Sequence, residues 1–421
     1  MSMITPPPEE PKKVKLGGRA FYESIGSPKK IVAPMVDQSE LAWRKLSRRL
    51  GADLCYTPML HAKLFATQEK YRRQMFDALD GEATSDRPLI VQFCANDPDL
   101  LLEAAKLVED QCDAVDLNLG CPQNIAKRGK YGSFLQEDWE LIYKLINILD
   151  KNLSIPVTVK IRVFPDREKT LAYAKMVLSA GAQILTVHGR TREMKGQQTG
   201  LADWSIIKYL REQLPSETVI FANGNLLYQE DINRCLEATG ADAVMSAEGN
   251  LFNPALFVKP ITYRNILPAD QEDMDIMFPR MDHLLRDYFE ILKTTPGEAS
   301  QIAAKSHLFR LLRSFLPVHT DVRSEIAQIN RNTKIEEFEK ITVHVETIVK
   351  TLMADDTNRE NDVVFRSSQA LDASGAEYKT VPYWRAQPYF RPVNGQILFG
   401  GKRPLADKEE TGGKEKEQKV Q

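Results

Sequence analysis

The sequence lacks most of the features that would settle its class at a glance. No apolar run approaches the ~20 residues a helix needs to cross a bilayer. The N-terminal MSMITPPPEEPKK has no apolar stretch of the kind a secretory signal carries, and it reads as a flexible leader. The five cysteines (Cys55, Cys94, Cys112, Cys121 and Cys235) are scattered, odd in number and without C-x-x-C spacing. That disfavours a disulfide framework or a zinc site and suits a reducing compartment; no metal is expected. No G-x-G-x-x-G follows the first strand candidate, and no P-loop, H-E-x-x-H or EF-hand loop occurs. An excess of one charge is missing too. The formal net charge of −2 excludes a uniformly basic nucleic-acid binder but leaves room for a local basic patch. A cytoplasmic monomer, with the nucleus as a second location, is the expectation.

What the 421 residues do contain is a repeat. Short β-type runs alternate with helical ones from Lys29 to about Phe257. KIVAPMV ends at Val36, DLCYTPML at Leu60, LIVQFCA at Ala95 and VDLNLG at Gly120. VTVKIRV ends at Val163, ILTVHGR at Arg190, VIFANGN at Asn225 and AVMSAEG at Gly249. Eight units of roughly 30 residues predict an α/β fold, a (β/α)8 TIM barrel, over 29–265. A Pro-marked connection, Pro260 to Pro268, leads to a small all-helical domain over 270–353. There Thr333 and Glu336 are spaced as a capping box. Ile302, Leu308, Phe309, Leu311, Leu312, Phe315 and Leu316 would form one apolar face, with His307, Arg310 and Arg313 opposite. Lys305 falls inside the apolar arc, which periodicity does not explain. An irregular extension, 354–400, keeps Tyr378, Tyr383, Trp384, Tyr389 and Phe390 and should pack back on the body. The leader (1–28) should be flexible and the charged tail (401–421) disordered.

In such a barrel the strand tips face one site. They offer Pro34 and Met35, Gln92, Asn118 and Cys121, Lys160 and Arg162, His188 and Arg190, Asn223 and Gly224, then Glu248, Gly249 and Asn250. Cys121 sits past a strand end, before Pro122 and ahead of a polar, basic, Gly-punctuated loop, QNIAKRGKYGSFL. A buried apolar Cys is the plain alternative. Lys160 and Arg162 share one side of their strand and need an anionic partner. Glycine at the last tips, followed by helix starts, suits a phosphate. Each has a structural alternative: His188 as a hydrogen-bonded scaffold residue, Gln92 and Asn118 as backbone partners, Asn223-Gly224 as a turn. Together they describe a site for a large, polar, phosphorylated ring system, which flavin mononucleotide (FMN) fits.

The set APMV (33–36), VQFCAND (91–97), VDLNLGCP (115–122), TVKIR (158–162), TVHGRTR (186–192), ANGN (222–225) and SAEGN (246–250) resembles the tRNA-dihydrouridine synthase family. CPQNIAKRGKYGSFL and AEGNLFNPALF are most similar to its eukaryotic branch acting on positions 16 and 17 of tRNA. The resemblance implies FMN, NADPH or NADH as reductant, and tRNA as substrate. It implies Pro34, Met35 and Val36 against the flavin, and Gln92 and Lys160 at its ring edge. His188, Asn223, Gly224, Glu248 and Gly249 would lie towards its phosphate end, with Asn225 and Ala247 of the same motifs completing the cofactor set. Asn118 and Arg162 would hold the uracil, Arg190 would lie on the substrate side, and Cys121 would be the general acid. Glu248 departs from the Gly-Arg or Arg-Gly pair usual in bacterial members, so its backbone alone is expected to serve. Lys127, Arg128, Lys130, Arg310 and Arg313 are candidates for tRNA phosphates, with a solvated surface as the alternative. A flavoenzyme acting on a free pyrimidine and a non-catalytic tRNA-binding protein are the rival readings.

Overall fold

Parallel strands covered on both faces read as continuous apolar runs, and the barrel strands here are buried along almost their whole length. The computed structural model describes residues 15–196, 199–258, 275–295, 297–363, 365–371 and 377–390. Residues 1–14, the Pro260–Pro268 connection and the 401–421 tail lie outside them. The strands are β1 (Lys30–Val32), β2 (Leu54–Tyr56), β3 (Leu60–His61), β4 (Leu89–Cys94), β5 (Ala114–Leu119), β6 (Val157–Arg162), β7 (Ile184–His188), β8 (Val219–Asn223) and β9 (Ala243–Ser246). Their order, β2-β1-β9-β8-β7-β6-β5-β4-β3, closes on itself through a β2–β4 pairing. The result is the (β/α)8 barrel.

Two strands are shorter than the apolar runs suggest. Pro34 ends hydrogen bonding after β1, so Ala33–Val36 lie on the loop. The second run breaks at Thr57-Pro58: β2 pairs with the lower half of β4, and β3 resumes beside Phe93 and Cys94. Aspartates set the joints. Asp97, Asp138, Asp166 and Asp203 each cap a barrel helix by accepting from its first N–H groups. At the opposite end, Asp53, Asp113 and Asp242 precede β2, β5 and β9 and accept from the opening amides of β1, β4 and β8.

The expected flexible leader is corrected in its second half. Gly18–Ser24 is a helix whose Phe21 and Tyr22 are buried in the apolar core, and the Tyr22 hydroxyl lies within hydrogen-bond reach of the Pro28 and Asp242 carbonyls.

Helices Met281–Thr294, Glu298–Leu311, Thr320–Gln328 and Ile335–Ala354 follow the barrel and share one continuous apolar core with it. The seam is specific. Glu40 caps the barrel helix Leu41–Arg49 through the Trp43 amide with one carboxylate oxygen. Its other oxygen accepts from His307 Nε2 at 3.0 Å. The His307 ring stacks on Trp43, centroids 4.1 Å apart and 2° from parallel. His307 is therefore fully buried and not on a polar face; a carboxylate from the barrel gives it a partner that helical periodicity could not reveal. Lys305 is explained by its ammonium donating to the Ala327 and Ile329 carbonyls, which close helix Thr320–Gln328. The Thr333–Glu336 capping box does not form. Lys334 takes the cap position, and the Thr333 hydroxyl accepts from the Asn330 amide instead.

Beyond Ala354 the chain is less irregular than expected, with a short helix, Asp356–Glu360, and an antiparallel pair, β10 (Phe365–Leu371) and β11 (Glu377–Thr380). Trp384 is buried, and Tyr389 and Phe390 lie against Phe252 and Tyr228 of the barrel.

Candidate active site

Register brings the expected polar side chains to one barrel mouth. Asn118 lies beside Lys160, Arg162 beside His188, and His188 beside Asn223 on successive strands. Lys160 Nζ donates to Asn223 Oδ1 at 2.9 Å, and Asn223 Nδ2 donates to the Met245 carbonyl. Desolvation, with Arg162 close by, brings the Lys160 ammonium down to about 7. An anion seated beside it would hold its proton on. Arg190 Nη1 donates to His188 Nε2 at 2.8 Å. A guanidinium only donates, so His188 is a neutral imidazole with its proton on Nδ1. Desolvation first, and then the three surrounding cations, push its pKa well down.

Cys121 follows β5 on a turn whose shape is set by Asn118. Asn118 Oδ1 accepts from the Gly120 amide at 3.2 Å and the Cys121 amide at 2.9 Å. Ser133 closes the loop from the other side, its amide and hydroxyl both donating to the Cys121 carbonyl. This return requires Gly132, at φ +64°, where a Cβ would stand 2.8 Å from that carbonyl oxygen. Cys121 is the one cysteine of the five that is not buried. Burial pushes its thiol up; the Gln123 amide, Arg162, Lys160 and Lys195 pull the other way without cancelling it. A thiol so placed keeps its proton at neutral pH. It can act as an acid.

Arg162 clamps this turn. Its Nε donates to the Gly120 carbonyl at 2.8 Å, and Nη1 donates to Thr191 and Met194 carbonyls on the loop after β7. Nη2 has no partner among the described residues and remains for a ligand carbonyl. Gln92 is fully buried, its amide shared between Asp116 and Asn118. Met35 is buried, Pro34 half-buried and Val36 exposed on the loop after β1. Gly224, at φ +121°, lets the β8 tip pass Ala202, whose Cβ a side chain there would strike at 2.4 Å. Ala247 and Glu248 are half-buried at the start of the short helix Glu248–Phe252, with Gly249 buried behind them.

Two expected ligand residues also brace the protein itself. Asn225 spends its side chain on both polar groups of Ala202 and on Arg190, and Arg190 donates to the Gly200 carbonyl, Asn225 and His188. Both hold the loop that follows β7 by bonding to its Gly200 and Ala202 backbone groups. The five expected phosphate contacts also divide. Lys127, Arg128 and Lys130 are exposed on the Cys121 loop, at helix Asn124–Gly129. Arg313 is exposed over the Tyr389 ring, whereas Arg310 is half-buried, donating to Gln38 and lying over Phe252.

Three contributors escaped the sequence reading. Lys195 donates to the Pro122 carbonyl, and Gln136 Nε2 donates to the Arg162 carbonyl. Neither carries a motif. Asp116 is the third, and its signal was available: it stands two residues before Asn118 and so shares its face of β5. Among the described residues no group of three or more His, Cys, Asp or Glu could hold a metal, and no helix is long and apolar enough to cross a membrane.

Comparison by sequence points to one family. Residues 31–351 match the family described as Dihydrouridine synthase (Dus). The chain is 59% identical over 394 residues to tRNA-dihydrouridine(16/17) synthase, NAD(P)(+), of Saccharomyces cerevisiae, covering 93% of this chain and 90% of that one. It is 50% identical over 388 residues to the protein of the same name from Schizosaccharomyces pombe, covering 91% and 93%. A relative from Mus musculus, named tRNA-dihydrouridine(16/17) synthase, NAD(P)(+)-like, is 44% identical over 95% of this chain and 77% of its own length.

Proposed function

The chain belongs to the dihydrouridine synthase family, and from that premise we infer that it is an oxidoreductase forming dihydrouridine in tRNA, with NADPH or NADH as the source of electrons. The positions reduced are 16 and 17, in keeping with the names of its relatives. FMN is the cofactor we propose for the barrel mouth. The donor set fits it: a cationic Lys160 for the electron-rich edge of the ring, a neutral His188 whose Nδ1–H has no partner among the described residues, and backbone amides at Gly224 and at Ala247–Gly249 for the phosphate. Pro34 and Met35 offer an apolar wall, with Val36 at its rim.

When bound, FMN supplies the hydride that C6 of the uracil receives. The chain's own residues do the rest. Arg162 Nη2 and the remaining Asn118 N–H can orient the uracil carbonyls. Lys160 balances negative charge at the ring edge. The Cys121 thiol delivers a proton to C5 from the opposite side of the uracil, and Arg162 and Lys195 receive the thiolate that results. A base must leave its stack to reach this mouth, which favours a tRNA loop over a helix. Lys127, Arg128 and Lys130 flank the entrance, and Arg313 with Tyr389 offers a cation and a ring further out.

The observation that carries this reading is the half-buried Cys121 thiol on a turn fixed between Asn118 and Arg162. The test is to map dihydrouridine in tRNA from cells lacking the protein and to restore it with purified, FMN-loaded enzyme. Loss at positions 16 and 17 alone, restored by the wild type, is expected. Unchanged dihydrouridine at both positions would overturn the assignment.

A further inference from the structure

We propose that Asp116 is a positioning residue whose carboxylate, acting through Gln92 and Asn118, fixes the turn that carries Cys121. The inference rests on the reading of Cys121 as the proton donor. Four side chains form one buried chain across β6, β5 and β4. The Thr158 hydroxyl donates to Asp116 Oδ1 at 2.6 Å, and Gln92 Nε2 donates to Asp116 Oδ2 at 2.8 Å. Asn118 Nδ2 donates to Gln92 Oε1 at 2.8 Å. Asn118 Oδ1 then accepts from the Gly120 and Cys121 amides. Thr158, Asp116 and Gln92 are wholly inaccessible and Asn118 nearly so.

The direction of this chain follows from its ends. Gln92 and Asn118 are amides, and either can present oxygen or NH2 to a neighbour. A carboxylate only accepts, so Gln92 must turn its NH2 to Asp116 and its oxygen to Asn118. Asn118 must then offer NH2 to Gln92, which leaves its oxygen for the two backbone amides. Those amides only donate, so the far end demands the same orientation. A reversed chain would set the Asn118 NH2 against the Gly120 and Cys121 N–H groups and release the turn.

Packing alone does not call for an acid at 116. Burying a carboxylate carries a desolvation cost, and an apolar side chain in such a place is often neutral or stabilising. A role limited to filling space therefore predicts that Asp116→Leu is tolerated. The positioning role predicts the opposite ranking, with Asp116→Asn the milder change. An amide at 116 can still present an oxygen to Gln92, with the Thr158 hydroxyl turning to accept from its NH2, but it no longer enforces that choice.

Two readouts on the full-length, FMN-loaded protein decide the matter. In Asp116→Leu, hydrogen exchange at the Gly120 and Cys121 amides should rise about tenfold or more while the β5–β6 ladder amides stay protected. Flavin reoxidation by tRNA should slow about 10- to 100-fold, the usual consequence of a misplaced reacting group. Flavin reduction by NADPH should stay within about twofold, since it does not use the Cys121 turn. Asp116→Asn should fall between wild type and Leu in both respects. If Asp116→Leu does not fold, exchange in Asp116→Asn carries the test: several-fold faster at Cys121 is expected, and wild-type protection overturns the proposal. Slow reoxidation with unchanged amide protection overturns it as well. Exchange is read without tRNA, so it stands whether or not dihydrouridine formation is upheld.

Discussion

Replacing Cys121 by Ala separates the chemistry from the scaffold more cleanly than any other single change. Everything that Cys121 itself contributes to the turn's hydrogen bonds is backbone: its amide donates to Asn118, and its carbonyl accepts from Ser133. Alanine keeps all of it. The loss is one half-buried sulfur, worth about 1 kcal/mol or less and a shift of about 1 °C in Tm. FMN content and the rate of flavin reduction by NADPH should match wild type. Reoxidation by tRNA should not. Losing a positioned general acid costs about 10²–10⁴ in rate, roughly 3–5 kcal/mol on the barrier. Cys121→Ser should recover little, because a hydroxyl is a far weaker acid than a thiol. The pH dependence follows from the direction of the shift. Burial holds the wild-type thiol above its ordinary range, so the tRNA-dependent step should be flat through neutral pH and fall only in strongly basic solution, as the proton is lost. The assay is rapid anaerobic mixing of pre-reduced protein with unmodified tRNA, followed by flavin absorbance. Reoxidation of Cys121→Ala at the wild-type rate would remove Cys121 from the mechanism.

Lys160→Met should weaken FMN binding, slow reduction by NADPH, or both, because the charge facing the ring edge is gone; unchanged flavin content and rate would take Lys160 away from the ring. Changing Lys127, Arg128 and Lys130 together to Glu should weaken tRNA binding and flatten its salt dependence by roughly one unit of slope for each phosphate no longer neutralised. Filter binding at several salt concentrations reads this, and an unaltered slope would clear the loop of any RNA contact. Asp116 is held at about 6 by burial, against an ordinary 3.8. Between pH about 4 and about 6 the folded chain therefore binds a proton that the unfolded chain does not. Stability from this group is fully present at the acid end and declines by about 3 kcal/mol as pH rises through that window. Urea unfolding of wild type and Asp116→Leu should show the difference moving in the variant's favour from pH about 4 to about 7, and a pH-independent difference would contradict it.

The barrel was legible because its strands are buried on both faces and its joints are written in aspartate, which punctuates the sequence visibly. The mouth was legible for the same reason: a strand tip is a fixed offset from an apolar run, so Lys160, Arg162, His188 and Asn223 could be aligned from spacing alone. What periodicity could not deliver was pairing over long distances. His307 looks polar on its own helix and is buried because Glu40, far away in sequence, meets it. Asn225 and Arg190 sit inside a site motif yet serve the loop, since only the folded chain shows which backbone groups need partners. Lys305 is the same lesson reversed, an anomaly on its helix that resolves once Ala327 and Ile329 are seen beside it.

The stacked Trp43–His307 pair and the Glu40 bond beneath it tie the helices to the barrel at a buried seam. Cut away at the connection, the helical segment would strip cover from Trp43 and from the Leu41–Arg49 helix, so neither piece should melt as an independent unit; calorimetry of the whole chain should give one transition. On the proposed reading, a nucleic acid that meets both Arg313 and the Cys121 mouth spans two parts of one shared core, and the bending needed to bridge them should fall to the RNA.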